Sequence, residues 1–244
     1  MAESTEDAAP PGVLPGALPV QLEDVARRLF GDGLGLARRY AELLATEGLT
    51  RGLLGPREAD RIWDRHLVNS VVLSEVVAEG AHVVDVGSGA GLPGIPLALA
   101  RPDLRVVLLE PMLRRTTFLT EVVEELGLGA RVQVVRGRAP ESVADLPFTP
   151  DHVTARAVAP LDRLVSWTMP LMRRSGVLLA LRGSTAADEI IATASEVTRL
   201  AGGPAELLTV GADTGEPVTV VRVERRLDVP IEPTRPRRRR KGAH

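Results

Sequence analysis

The sequence predicts a doubly wound α/β fold, with seven strands in one mostly parallel sheet and an N-terminal helical cap. Three observations predict it. From residue 82 onward, short β-branched runs alternate with helix-length stretches, an alternation that puts parallel strands in one sheet with helices on both faces. Before residue 82, apolar residues recur at helical spacing. Where the alternation begins, a glycine-dense turn joins the first strand-like run to the first helix, the position at which a doubly wound sheet takes a nucleotide-like ligand.

Residues 1–19 hold Pro10, Pro11, Pro15 and Pro19 among several Gly and Ala, and read as a disordered arm. Residues 20–79 read as a helical subdomain. Leu22, Val25, Leu29 and Phe30 recur at helical spacing, as do Leu36, Tyr40, Leu43 and Leu44. Pro56 stands like a helix-start residue ahead of 58–63, and Val68, Val71, Val72, Val76 and Val77 follow. The sheet domain is expected over 80–230. Its strands are expected at 82–86, 105–109, 132–135, 152–155, 177–181, 206–210 and 218–223, with helices at 92–100, 112–126, 161–173 and 186–200. Residues 211–217 leave no room for a crossover helix, so the last two strands are expected to pair antiparallel. Residues 231–244 read as a basic, mobile tail.

Composition narrows the function. Aromatic residues make up 2% of the 244, so the core is built from Leu, Val, Ala and Ile, and a surface reading many bases by stacking is excluded. The net charge of −2 confines any nucleic-acid contact to a local patch. The clearest such patch is Arg235, Arg237, Arg238, Arg239, Arg240 and Lys241, which is compatible with phosphate binding. Lys241 is the only lysine, so no mechanism inside the fold uses one. There is no cysteine, hence no disulfide, thiolate metal site or cysteine nucleophile. The sequence shows no secretory signal and no apolar run of the ~18 residues a membrane span needs, so a cytoplasmic protein without membrane association is expected. His66, His82, His152 and His244 lack metal-ligand spacing, and no metal is expected.

The chemical signal lies in the glycine turn, Asp85-Val-Gly87-Ser88-Gly89-Ala-Gly91-Leu92-Pro93-Gly94. Glycines let the backbone approach a ligand closely, and amides at a helix start can bond it. Two frames fit. Gly89, Gly91 and Gly94 match the dinucleotide pattern G-x-G-x-x-G, a weak signal alone. Asp85, Gly87, Gly89 and Gly91 match D-x-G-x-G-x-G, which resembles S-adenosyl-L-methionine (AdoMet) methyltransferases and sets the glycines directly at the sheet edge. Glu110, after the second strand, can accept hydrogen bonds from both ribose hydroxyls, in either class of cofactor.

Further along, the residues resemble a known family. Arg65-His66-Leu67-Val68-Asn69-Ser70, the run from Asp85 to Leu97, Leu108-Leu109-Glu110, Arg115 with Phe118-Leu119, Gly137-Arg138-Ala139, Ala155-Arg156-Ala157, Val165-Ser166-Trp167 and Ala180-Leu181-Arg182-Gly183 occur in the order seen in the glucose-inhibited division protein B group, the bacterial 16S rRNA guanine-N7 methyltransferases. The resemblance implies a Rossmann-like class I methyltransferase sheet, AdoMet as methyl donor, and transfer to N7 of a guanine in the 530-loop region of 16S rRNA, presented as RNA or as the 30S particle to a monomeric enzyme. It also implies that Gly87, Leu92, Ala139, Pro140 and Arg156 line the cofactor site, alongside Asp85, Ser88, Gly89 and Glu110. Three features depart from the family pattern: Pro140 where an acid is usual, Gly48-Leu49-Thr50-Arg51 in place of an Asn-Leu-Thr segment, and the basic tail.

The inventory suits this chemistry. Cysteine-initiated C5 methylation and lysine-based 2′-O methylation lack their residues. The Asn/Asp-Pro-Pro-aromatic turn common in exocyclic-amine methylation is replaced by Arg156-Ala157-Val158-Ala159-Pro160. Guanine N7 carries a free lone pair, needs no general base and demands only alignment, so no obligatory catalytic residue is expected. Arg156 is expected at the active edge, contacting cofactor, phosphate or base through its planar fork. Arg182 is a further RNA-contact candidate. His66 reads as a core histidine and Trp167 as core rather than a stacking ring. The alternatives are an NAD(P)-dependent oxidoreductase and a non-catalytic ribosome-binding module.

Overall fold

Seven strands form one sheet in the order β3-β2-β1-β4-β5-β7-β6. They are β1 (His82–Val86), β2 (Arg105–Glu110), β3 (Val132–Arg136), β4 (His152–Arg156), β5 (Val177–Arg182), β6 (Glu206–Val210) and β7 (Val218–Glu224). The computed structural model describes residues 16–226 except Ala157 and Ala201, and leaves aside the side chains of Pro56 and Arg57. The arm, up to residue 15, and the Arg-rich tail lie outside the described residues.

Strands β1 to β5 are parallel, and their connections return over the sheet faces. β1 and β2 are buried on both faces, which is why they read as continuous apolar runs rather than alternating ones. The final hairpin folds back so that β7, the last strand, lies inside β6 and runs antiparallel to both β5 and β6. The outer strand β6 is correspondingly exposed along most of its length.

Helices cover both faces. Seven α segments are present among the described residues: α1 (Glu23–Phe30), α2 (Leu34–Leu43), α3 (Asn69–Val71), α4 (Gly94–Ala100), α5 (Leu113–Glu125), α6 (Leu161–Thr168) and α7 (Ala186–Arg199). The expected helix over 161–173 stops at Thr168, because Pro170 supplies no amide N–H and its ring crowds the preceding turn. Between α2 and the sheet the backbone is helical but irregular, with 3-10 turns and wider π turns over Leu44–Gly48 and Ile62–Val68.

Two cores result. On one face, Phe30, Tyr40, Leu44, Trp63 and Leu67 of the N-terminal helices pack with Ile95 and Leu97 of α4, Phe118 and Leu119 of α5, and Val83, Leu108 and Val220 of the sheet. On the other, Leu164, Val165 and Met169 pack with Val84, Val153, Leu178 and Val221. Phe30 and Trp63 meet edge to face at 6.2 Å, and the Trp63 indole N–H donates to Gly16 O at 2.7 Å. Burying each such side chain contributes about 1.5–3 kcal/mol. The helical segment thus closes one face of the sheet and reaches the carboxyl ends of its strands.

Candidate active site

The carboxyl ends of β1 to β4 surround a cavity of about 660 Å³, within the range of cofactor sites. Its floor is the glycine turn. Gly87 has φ +69°, and a Cβ there would lie 2.9 Å from Val158 Cγ2, so glycine is required both for the turn and for the approach of the β4 loop. The turn is held from below by Asp85. This residue is fully buried; its Oδ1 accepts from Thr154 Oγ1 at 3.0 Å and its Oδ2 from the Gly94 N–H at 3.1 Å. Burial raises its pKa to about 6, against the opposing pull of those hydrogen bonds. From above, the turn is held by Tyr40 of α2, whose buried hydroxyl donates to Ala90 O at 2.7 Å.

Glu110, at the end of β2, is 1% exposed and faces the cavity. Its Oε2 accepts from the Gly89 N–H and its Oε1 from the Met112 N–H, both at 3.0 Å. The backbone therefore fixes the carboxylate plane, while each oxygen keeps a lone pair for another donor. Gly137, Arg138 and Ala139 form the wall beyond it.

The opposite wall is built around Arg156, at the end of β4. Its Nη2 donates to His66 Nδ1, and His66 Nε2 lies 2.7 Å from Glu58 Oε2. Burial, reinforced by the Arg156 charge, lowers the His66 pKa to about 4, so the ring is neutral near pH 7. Nδ1 must accept from the guanidinium, so the proton sits on Nε2, close to Glu58 but out of line for a hydrogen bond. The Arg156 Nη1 group is buried and has no hydrogen-bond partner among the described residues. Leu53, Leu54, Val158 and the half-buried Trp167 complete this wall.

Of the residues singled out from sequence, Gly87, Ser88, Gly89, Leu92, Glu110, Ala139 and Arg156 line this one cavity. Three do not. Asp85 lies beneath the turn and acts on it rather than facing a ligand. Pro140 starts the 3-10 turn Glu141–Asp145 and leaves the lining to its neighbours Ala139 and Glu141. Arg182 is buried at the end of β5, 3.7 Å from Glu189 of α7, and does not reach the cavity. Trp167, read as core, stands on the cavity wall instead. His66 is buried as expected of a core residue, yet it also borders the cavity and holds Arg156. Tyr40, Glu58, Leu53 and Leu54 had no motif to mark them; Tyr40 acts across fifty residues, and Glu58 reaches the cavity only through His66. Among the described residues, no cluster of three His, Asp or Glu could hold a metal ion.

Residues 34–213 match the GidB family, described as rRNA small subunit methyltransferase G. The chain belongs to the rRNA small subunit methyltransferase G family. Its relatives of that name include one from Salinispora tropica, 52% identical and covering 95% of this chain and 98% of the relative. Another, from Streptomyces coelicolor, is 60% identical over 82% of this chain and 83% of its own. Among solved structures, the mitomycin 7-O-methyltransferase MmcR aligns with a TM-score of 0.51 and 17% identity, covering 85% of this chain and 74% of that one, a likeness of fold alone. The family match spans every strand of the cavity, from the helices that carry Tyr40 and His66 to the β4 loop.

Proposed function

We propose that this chain transfers the methyl group of AdoMet to small-subunit ribosomal RNA, at N7 of a guanine in the 530-loop region of 16S rRNA. The observation that carries the reading is the joint placement of the glycine turn and Glu110 in one cavity, within a chain of the methyltransferase G family. The residues fit AdoMet. Glu110 is oriented to accept from two ribose hydroxyls, the segment Gly137–Arg138–Ala139 can frame the adenine, and the approach to Gly87 leaves backbone room for the amino-acid portion. The unpartnered Arg156 Nη1 calls for an acceptor such as a carboxylate, phosphate or base oxygen.

When bound, AdoMet supplies a methyl group on a cationic sulfur, reactive toward a nitrogen lone pair. The chain's own task is to align acceptor and methyl and exclude water, which can supply several kcal/mol. Neither ring nitrogen of His66 is free to act as a base, since one accepts from Arg156 and the other faces Glu58. Guanine N7 needs none. It also bears positive charge after transfer, so Arg156 is better placed on an anionic group than on the reacting nitrogen. No helix among the described residues is long and apolar enough to cross a membrane; a monomeric cytoplasmic enzyme is the setting that suits this substrate.

The test is methyl transfer from labelled AdoMet to 16S rRNA and to 30S particles lacking the modification, with the product nucleoside identified by mass. We expect 7-methylguanosine, and the better substrate identifies the natural one. Another methylated nucleoside would overturn the N7 assignment. Absence of label from both substrates, with AdoMet bound, would overturn the ribosomal one.

A further inference from the structure

The surface arginines divide into two groups. On the helical segment every described arginine side chain has an acidic partner: Arg27 and Arg38 meet Glu23, Arg39 meets Glu42 and Glu125, Arg51 meets Glu47 and Glu121, Arg61 meets Asp64, and Arg65 meets Glu58; Arg28 meets Asp213. Around the cavity mouth Arg115 lies 3.7 Å from Glu110, but four other arginines have no acidic partner among the described residues. Arg114 at the start of α5, Arg136 at the end of β3, Arg138 just after it and Arg163 at the start of α6 are all exposed. None of the four has an ion pair or side-chain hydrogen bond with another described residue. Arg136 is in register with Glu110, and Arg138 lines the cavity, so three of these charges stand on the β2–β3 side. Arg163 stands across the mouth, on the β4 side. The acidic residues of the lining are Glu110 and Glu141. Unpaired arginines also occur at the far edge of the sheet, at Arg105 and Arg174, but they border no cavity of comparable size.

We infer that Arg114, Arg136, Arg138 and Arg163 form a phosphate-binding rim that grips a single-stranded RNA segment on both sides of the guanine entering the cavity. The inference rests on the proposed acceptor. Guanine N7 lies on the major-groove edge of the base. In A-form RNA that groove is too deep and narrow for side chains to read. Glu110 and the glycine turn line the cavity and are assigned to AdoMet, so a base brought to its methyl group has left its stack. An everted nucleotide leaves its two flanking phosphates at the mouth, one on each side. Guanidinium groups without carboxylate partners are the groups that bind them, since no internal ion pair must first be broken. The helical segment, with its arginines already neutralised, is not the RNA-facing surface.

The test uses the full chain carrying Arg114→Gln, Arg136→Gln and Arg163→Gln together, three positions outside the cavity lining. The control is Arg27→Gln with Arg38→Gln. Affinity for unmodified 16S rRNA is measured across a salt series, with the KM for RNA, the kcat and the affinity for AdoMet. Each phosphate contact contributes about 0.7 to the slope of log affinity against log salt for a single strand, so the triple variant is expected to lose about 2 from that slope. Its KM for RNA should rise at least tenfold, with kcat and AdoMet affinity within about twofold of wild type and the control unchanged. Unaltered slope and KM in the triple variant, with wild type methylating rRNA, would overturn the rim alone. Equal losses in the control would overturn the division between the two surfaces. Wild type that methylates no rRNA would remove the acceptor reading, and the rim with it.

Discussion

The two walls of the cavity are assembled at different ranges along the chain. On the β1–β3 side, Glu110 is fixed by the N–H groups of Gly89 and Met112, and the turn by Asp85, so most of the contacts fall between residues 85 and 112. On the β4 side, Arg156 is fixed by His66, and His66 by Glu58, across ninety residues of intervening chain. The difference is one of mechanism. Local backbone geometry positions the first wall, and tertiary packing of the helical segment positions the second. Damage to the first should therefore appear mainly as lost cofactor affinity and damage to the second as lost stability, with pH responses of opposite sign.

The largest effect is expected from Glu110→Gln. The amide replaces one acceptor by a donor that opposes a backbone N–H and lowers the charge offered to ribose hydroxyls. Hydrogen bonds to charged groups are worth about 1.5–3 kcal/mol, so AdoMet affinity measured by calorimetry should fall roughly 10- to 100-fold. Unchanged affinity would remove Glu110 from the site. Next comes Tyr40→Phe, which leaves the buried Ala90 carbonyl without its donor and should cost about 1–3 kcal/mol. A melting temperature lower by several degrees, with only a modest loss of AdoMet affinity, is the expected signature; an unchanged melt would show that the hydroxyl does not tie the helices to the turn.

The smallest effect separates the walls by sign. His66 has a pKa of about 4 in the folded chain against 6.5 when unfolded. The unfolded chain therefore takes up the proton first, and the stability linked to His66 is present above pH 6.5 and lost as pH falls toward 4. Asp85 is shifted the other way, from 3.8 to about 6, so the stability linked to it is present below pH 3.8 and lost as pH rises through 6. Denaturant midpoints between pH 4 and 7 should thus fall less steeply on acidification in His66→Gln, and more steeply in Asp85→Asn, than in wild type. Profiles parallel to wild type in both would contradict the two assignments.

The same difference of range governs what the sequence disclosed. All seven strands and the glycine turn were legible, because β-branched runs and glycine density are local signals, and Glu110 followed from its place after β2. The motif marked Asp85 but not its direction. Strand alternation sets Asp85 on the same side as Val83, beneath the turn and between Leu108 and Thr154 of the neighbouring strands, rather than in the cavity. The place of Arg182 away from the cavity was not legible, because position at a strand end does not reveal a half-buried carboxylate such as Glu189 beside it. Trp167 lies just off the buried stripe of Leu161, Leu164, Val165 and Thr168, and helical spacing alone could not decide which way it leans. Helical spacing marked Tyr40 as part of an apolar face but gave neither it nor Glu58 a role at the site, since their partners are set only once the helices have packed.

The helical segment and the sheet share a continuous apolar core, from Phe30 and Tyr40 through Ile95 to Val220. This has a bearing on modularity. A visible change of pattern near residue 80 suggests a seam at which the chain could be cut, yet no such seam exists in the packing. Removing the helices would strip one face of the sheet and loosen the glycine turn at the same stroke. Selection on the N-terminal helices is accordingly selection on the glycine turn and its cavity, and the two are inherited as one object.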